Sequence, residues 1–101
     1  MTRKIYKIDE IKSLVAPIAQ SYGVEALYLF GSYAKGTATS KSDLDIRVEK
    51  GDVKSLLQLS GLRIALSEAL NKPLDLMTTQ SLSESFLNEI HNDEVVLYAR
   101  G

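Results

Sequence analysis

Residues 24–49 read VEALYLFGSYAKGTATSKSDLDIRVE, and three patterns within that stretch decide the fold. Val24 to Phe30 is apolar or aromatic except for Glu25, which is the composition of a strand buried on both faces. Gly31 to Ser42 is rich in Gly, Ser, Thr and Lys and predicts a loop, or a loop with one helical turn. From Asp43 to Glu49 the residues alternate without exception. Asp43, Asp45, Arg47 and Glu49 fall on one side, and Leu44, Ile46 and Val48 on the other. That period of two predicts a strand with one polar face.

Upstream, Ile8, Ile11, Leu14, Val15 and Ile18 recur at three and four spacing, with Asp9 and Glu10 early, so residues 8–21 are expected to form an amphipathic helix. Pro17 is expected to kink that helix or delay its start. Downstream, Lys50-Gly51-Asp52 turns the chain. A second helix is expected over 53–71, with Leu56, Leu59, Leu62, Leu66 and Leu70 on one stripe and Gly61 weakening its middle by about 1 kcal/mol relative to Ala. Asn71-Lys72-Pro73 ends it, and Leu74 to Met77 makes a brief strand. Ser81 or Ser83 caps a third helix whose Leu82, Phe86, Leu87 and Ile90 share a face, Glu84 offering a capping box to Ser81. Asn92-Asp93 then leads into a last strand, Val95 to Tyr98. The order of elements predicts an α/β (α+β) fold with about four strands.

The chain has 101 residues, 45% hydrophobic and 25% charged, which is the make-up of a folded globule rather than a disordered tail. No repeat, low-complexity tract or linker divides it, so residues 1–101 are expected to be one domain. Twelve Lys and Arg against 13 Asp and Glu give a net charge of −1, which provides no global field for gripping a polynucleotide. With no Cys, disulfides, thiolate catalysis and Cys-type zinc sites are excluded, and one His cannot furnish a His-rich metal site. The first residues carry charges where a secretory signal needs an apolar run, and no stretch approaches about 18 apolar residues, so a cytoplasmic, membrane-free protein is expected.

Three carboxylates emerge. Asp43 and Asp45 stand two apart on one strand and so point the same way, about 7 Å apart along it. Asp75 lies between Leu74 and Leu76, so if those two face the core it faces away. Were the strands neighbours, three negative charges would converge, which raises pKa values or demands a cation. With oxygen ligands only, Mg²⁺ or Mn²⁺ is the natural occupant. Gly31-Ser32, directly after a buried strand, opens a helical turn whose free backbone N–H groups attract anions. The Ser32 hydroxyl can donate to a phosphate oxygen, and Lys35 is within reach as a point charge. An anion cradle facing a metal cluster suits phosphoryl transfer.

Gly31-Ser32, ten intervening residues and Asp43-Leu44-Asp45 together resemble the GS-x10-DxD signature of the polymerase-beta-type nucleotidyltransferase superfamily, with Asp75 similar to its third carboxylate. The stretch Gly31 to Gly36, taken with Ser42 to Asp45, resembles above all the minimal nucleotidyltransferase (MNT) proteins, single domains of about this length. The resemblance implies a small mixed sheet flanked by helices, dependence on Mg²⁺ (two ions, Mn²⁺ as a substitute), and transfer of AMP from ATP. It implies that Asp43 and Asp45 bind both metals, that Asp75 holds the one activating the incoming hydroxyl, and that Gly31, Ser32 and Ser42 hold the nucleotide. Lys35 stands where the family often has Arg, keeping the charge but losing the bidentate grip. The partner implied is a HEPN-domain toxin, AMPylated on a tyrosine and so neutralised.

Other features read less sharply. Gly31 and Gly36 flank four residues as in a Walker A loop, but Thr37 stands where the Lys is required. Arg63 is expected on a solvated helix face and His91 at an exposed helix end. The five Tyr are expected to pack in core and edge, except Tyr33, which follows Ser32 and is expected to line the nucleotide site. A non-catalytic antitoxin that occludes its toxin, and a subunit modifying a small hydroxylated molecule such as an aminoglycoside, are the two alternative functions.

Overall fold

The computed structural model describes residues 2–101. The elements run α1 (Ile8–Tyr22), β1 (Ala26–Phe30), α2 (Gly31–Lys35), β2 (Leu44–Glu49), α3 (Leu56–Leu70), β3 (Leu74–Thr78), a 3₁₀ turn (Thr79–Ser81), α4 (Glu84–His91) and β4 (Val95–Ala99). The four strands form one mixed sheet in the order β3-β2-β1-β4. β1 is antiparallel to both β2 and β4, while β2 and β3 are parallel and need α3 as their crossover. No described helix is long and apolar enough to cross a membrane.

One face of the sheet is the core. Leu27, Leu29, Leu44, Ile46 and Val48 are fully buried there beneath Ile11, Val15 and Ala19 of α1 and Leu62, Leu66 and Leu70 of α3. The expected strand buried on both faces is β1, although it begins at Ala26: Gly23, at φ 70°, ends α1, and Val24 N–H donates back to Ala19 O at 3.2 Å. Pro17 does not break α1, which runs through it. Pro17 is on the exposed side, where water can satisfy the Ser13 carbonyl that loses its partner.

The second helix departs from expectation at its start. Ser55 caps it, its Oγ accepting from Gln58 N–H at 3.1 Å, so residues 53–55 lie outside. Leu56 is 83% exposed and leaves the stripe, because at 100° per residue it lies about 120° round the helix from Leu62. Gly61 has a packing reason, since a Cβ there would press on the Tyr22 hydroxyl at 3.0 Å. Of the two candidate caps of α4, Ser83 serves, its Oγ accepting from Phe86 N–H at 3.2 Å, whereas the Ser81 hydroxyl donates to Thr78 O at 2.8 Å. The Ser81–Glu84 capping box is therefore not formed.

Leu66→Ala is expected to lower unfolding stability by about 2–5 kcal/mol, because it empties a fully buried site. Leu57→Ala, at a residue 84% exposed, should change it by less than about 0.5 kcal/mol. Urea unfolding of the two variants measures both.

Candidate active site

The polar face of β2 and the neighbouring strands carry the site. Asp45 on β2 and Asp75 on β3 are register partners in the parallel pair, on strands about 4.8 Å apart. Leu44 and Leu74, also partners, turn into the core, so the two carboxylates point out of the opposite face. Asp43 lies one residue before β2 and is exposed. Of the three carboxylates expected to converge, Asp45 and Asp75 stand side by side, and Asp43 precedes the strand. Among the described residues, no three Asp, Glu, His or Cys side chains stand close enough together to be a finished metal cage.

The Gly31-Ser32 turn is built directly against this pair. β1 ends at Phe30, the register partner of Asp45, and Gly31 begins α2 at φ 75°. A Cβ on Gly31 would run into Asp45 Oδ2, so both the backbone conformation and the approach of the carboxylate require glycine. Ser32 is half-buried beside it, and its carbonyl accepts from Thr37 N–H at 3.0 Å as α2 closes at Gly36. Lys35, at the end of α2, is exposed and lines a cavity that also borders Gly31.

Burial holds the Asp45 carboxyl above its ordinary range, and the charges of Asp75 and then Asp43 add to that. Among the described residues none of the three acids enters an ion pair. A set of hard oxygen donors that repel one another and lack a cationic partner fits a divalent cation of the Mg²⁺ or Mn²⁺ type.

Other expected residues fall elsewhere. Tyr33 does not line the site: it is 5% exposed, packs in the core cluster, and its buried hydroxyl has no hydrogen-bond partner among the described residues. In the five-residue helix α2, the position after Ser32 turns inward. Ser42 Oγ accepts from Thr39 N–H at 2.8 Å and so shapes the loop before Asp43. Arg63 is exposed on α3. His91 is exposed at the end of α4, with Nδ1 2.9 Å from Glu94 Oε1.

Two residues to which the sequence pattern gave no part in the site support it. Arg47, two residues beyond Asp45 on the same face, is 4% exposed. Its guanidinium donates to both Glu94 oxygens at 2.8 and 3.2 Å, to Glu49 Oε1 at 2.8 Å and to Thr79 Oγ1 at 2.8 Å, and lies 4.0 Å from the Tyr28 ring centre. It ties β2 to the 3₁₀ turn and to the approach to β4. Lys72, 2% exposed, donates from Nζ to Ser40 O at 3.1 Å and pins the loop that carries Ser42 and Asp43. Alternation signalled the face of Arg47 but not its cover, and nothing local signalled Lys72.

Because folding raises the proton affinity of Asp45, the native state holds that proton more tightly than the unfolded chain. Asp45 therefore costs stability above the raised value, and the cost fades as pH falls towards the ordinary carboxylate range. Asp45→Asn is expected to raise Tm at pH 7 and to lose that advantage near pH 4, which thermal melts across that range would measure.

Known proteins share the sequence pattern and the fold. The profile of the family "Polymerase beta, Nucleotidyltransferase" matches residues 13–101. A Methanocaldococcus jannaschii protein, provisionally named a protein adenylyltransferase, is 41% identical over 88 residues, covering 87% of this chain and 95% of its own length. A toxin-antitoxin crystal structure with AMP-PNP superposes with a TM-score of 0.74 at 25% identity, over 88% of this chain and 73% of that one. One chain of a solved complex of the tri-AMPylated Shewanella oneidensis HEPN toxin with MNT antitoxin shares the fold, with a TM-score of 0.69 at 21% identity over 92% of this chain and 73% of that one. Because the family profile spans residues 13–101, most of the chain, the chain belongs to the polymerase beta family of nucleotidyltransferases.

Proposed function

We propose that the chain, acting as one domain over residues 1–101 in the cytoplasm, transfers AMP from ATP to a tyrosine hydroxyl of a HEPN-type toxin and so serves as its antitoxin. The observation that carries this reading is the in-register Asp45–Asp75 pair set against Gly31. The names of the similar proteins support the donor and the acceptor: protein adenylyltransferase in one, AMP-PNP in a second, an AMPylated HEPN toxin in a third.

Asp43, Asp45 and Asp75 would hold Mg²⁺, two ions by family resemblance and Mn²⁺ in its place, which supplies positive charge against the phosphates and the developing negative charge of transfer. Gly31 lets the triphosphate approach the backbone, and the Ser32 hydroxyl donates to a phosphate oxygen. Lys35 offsets charge from the exposed end of α2. Ser42 contributes through the loop it fixes with Thr39. In the transfer, the acceptor oxygen bonds to the α-phosphorus as the bond from that phosphorus to the bridging oxygen of pyrophosphate breaks. The hydroxyl proton passes to a carboxylate oxygen of Asp75, the more exposed of the pair, and from there to water.

Incubation with ATP labelled at the α-phosphate, Mg²⁺ and the HEPN partner is the test. Label should appear on the partner, fall by about 10²-fold or more in Asp75→Asn and disappear with a chelator. Label that passes to an aminoglycoside in a parallel incubation, and not to the partner, would move the acceptor to a small molecule. Neutralisation that survives Asp75→Asn without any label would make the protein an occluding antitoxin.

A further inference from the structure

We infer that the cavity of about 330 Å³ where the loop before β2 meets the loop before β3 is an anion site for a phosphate group, on the acceptor side of the carboxylates. The placement on the acceptor side rests on the nucleotidyl-transfer reading above, and the anion site itself does not. Its first ground is Lys72, which lines the cavity and is 2% exposed. A cation buried to that degree is ordinarily paired with a carboxylate. Among the described residues Lys72 enters no ion pair, and its Nζ makes a single bond, to Ser40 O at 3.1 Å. An ammonium carries three donors, so the others are left for a ligand.

The second ground is charge. Arg3 and Lys41 line the same cavity, and Asp43 is the one carboxylate in its wall. Arg3 is brought there because Thr2 N–H donates to Asn71 O at 3.0 Å, which lays the start of the chain against the end of α3. Three positive groups against one carboxylate give the wall a net charge of +2. A phosphate dianion balances that charge, whereas a carboxylate leaves half of it standing.

Position is the third ground. β2 lies between β1 and β3 in the sheet. The Gly31-Ser32 turn follows β1, whereas the cavity wall includes Pro73, which directly precedes β3. In-line displacement sends the leaving pyrophosphate and the attacking hydroxyl to opposite sides of the α-phosphorus. With the phosphates of ATP at the turn on the β1 flank, the acceptor approaches from the β3 flank, where Asp75 stands. The cavity lies on that flank and reaches the carboxylates through Asp43. A phosphate ester carried by the acceptor, or a free phosphate ion in its place, meets Lys72 there.

NMR titration of the wild type with inorganic phosphate, phenyl phosphate and acetate tests the assignment, read at the Lys72 ammonium and at the backbone amides of Gly31, Ser32 and Lys41. Inorganic phosphate should move the Lys72 and Lys41 signals, and acetate should bind there about tenfold more weakly. The phosphate shift should persist when Mg²⁺ and α,β-methylene ATP occupy the Gly31-Ser32 turn. Phenyl phosphate that binds as well as phosphate makes the acceptor the source of the group, and phenyl phosphate that is turned away makes the source the free ion. Lys72→Met should weaken phosphate by about tenfold or more, read at Lys41. Because Lys72 also holds Ser40, Arg3→Ala combined with Lys41→Ala supplies a variant confined to exposed side chains. It should keep the wild-type Tm and weaken phosphate by about threefold or more, read at Lys72. The site is overturned if phosphate moves only Gly31 and Ser32, if acetate binds as tightly as phosphate, or if the double variant binds phosphate like the wild type. AMP transfer that persists alongside any of those results leaves the nucleotidyltransferase reading standing. Phosphate binding at Lys72 in a protein that labels no partner overturns that reading and the acceptor-side placement with it, and leaves the anion site.

Discussion

Two like charges held side by side organise this molecule. Asp45 and Asp75 stand side by side on a parallel strand pair, an arrangement that costs free energy when both are ionised and is relieved by a proton held on Asp45 or by a nearby cation. The architecture makes that juxtaposition unavoidable. A parallel pair needs a crossover, and α3, lying with α1 over the core face, directs every alternate residue of β2 and β3 to the opposite face. The glycine at the end of β1 then brings an amide-rich turn up to the same carboxylate.

Charge on this face is kept in separate compartments. Arg47 lies two residues from Asp45, about 7 Å along the strand, and could in principle cancel the acidic pair. It does not, because Glu94 grips it with two oxygens, Glu49 takes a third bond, and Tyr28 covers its plane. A buried guanidinium with its own carboxylates is a structural rivet. The acidic pair is left with its charge, and the rivet fastens the segments on either side of α4, the helix that walls the adjoining cavity. Lys72 plays a similar part on the other flank, giving its ammonium to the carbonyl of Ser40 rather than to Asp43.

Local periodicity revealed whatever depended on local geometry. The alternation from Asp43 to Glu49 gave the strand and its polar face, and the position of Asp75 between Leu74 and Leu76 gave its direction once both strands shared a sheet. The end of β1 and the turn at Gly31 were readable for the same reason. What escaped depended on partners distant in sequence. Arg47 is buried because Glu94 and Thr79 arrive from the far end of the chain, and Lys72 because Ser40 lies 32 residues earlier. Tyr33 was misplaced because adjacency to Ser32 says nothing about which side of a five-residue helix meets the core. Leu56 was counted into a stripe that its place at the first turn of α3 does not reach.

The most direct measurement of the whole account is a carboxyl carbon NMR titration of Asp45, with and without Mg²⁺. The midpoint is expected above the ordinary carboxylate range in the free protein, and to fall when Mg²⁺ is added. A midpoint in the ordinary range that Mg²⁺ leaves unmoved would contradict this, because the paired acids would then neither repel each other nor share an ion.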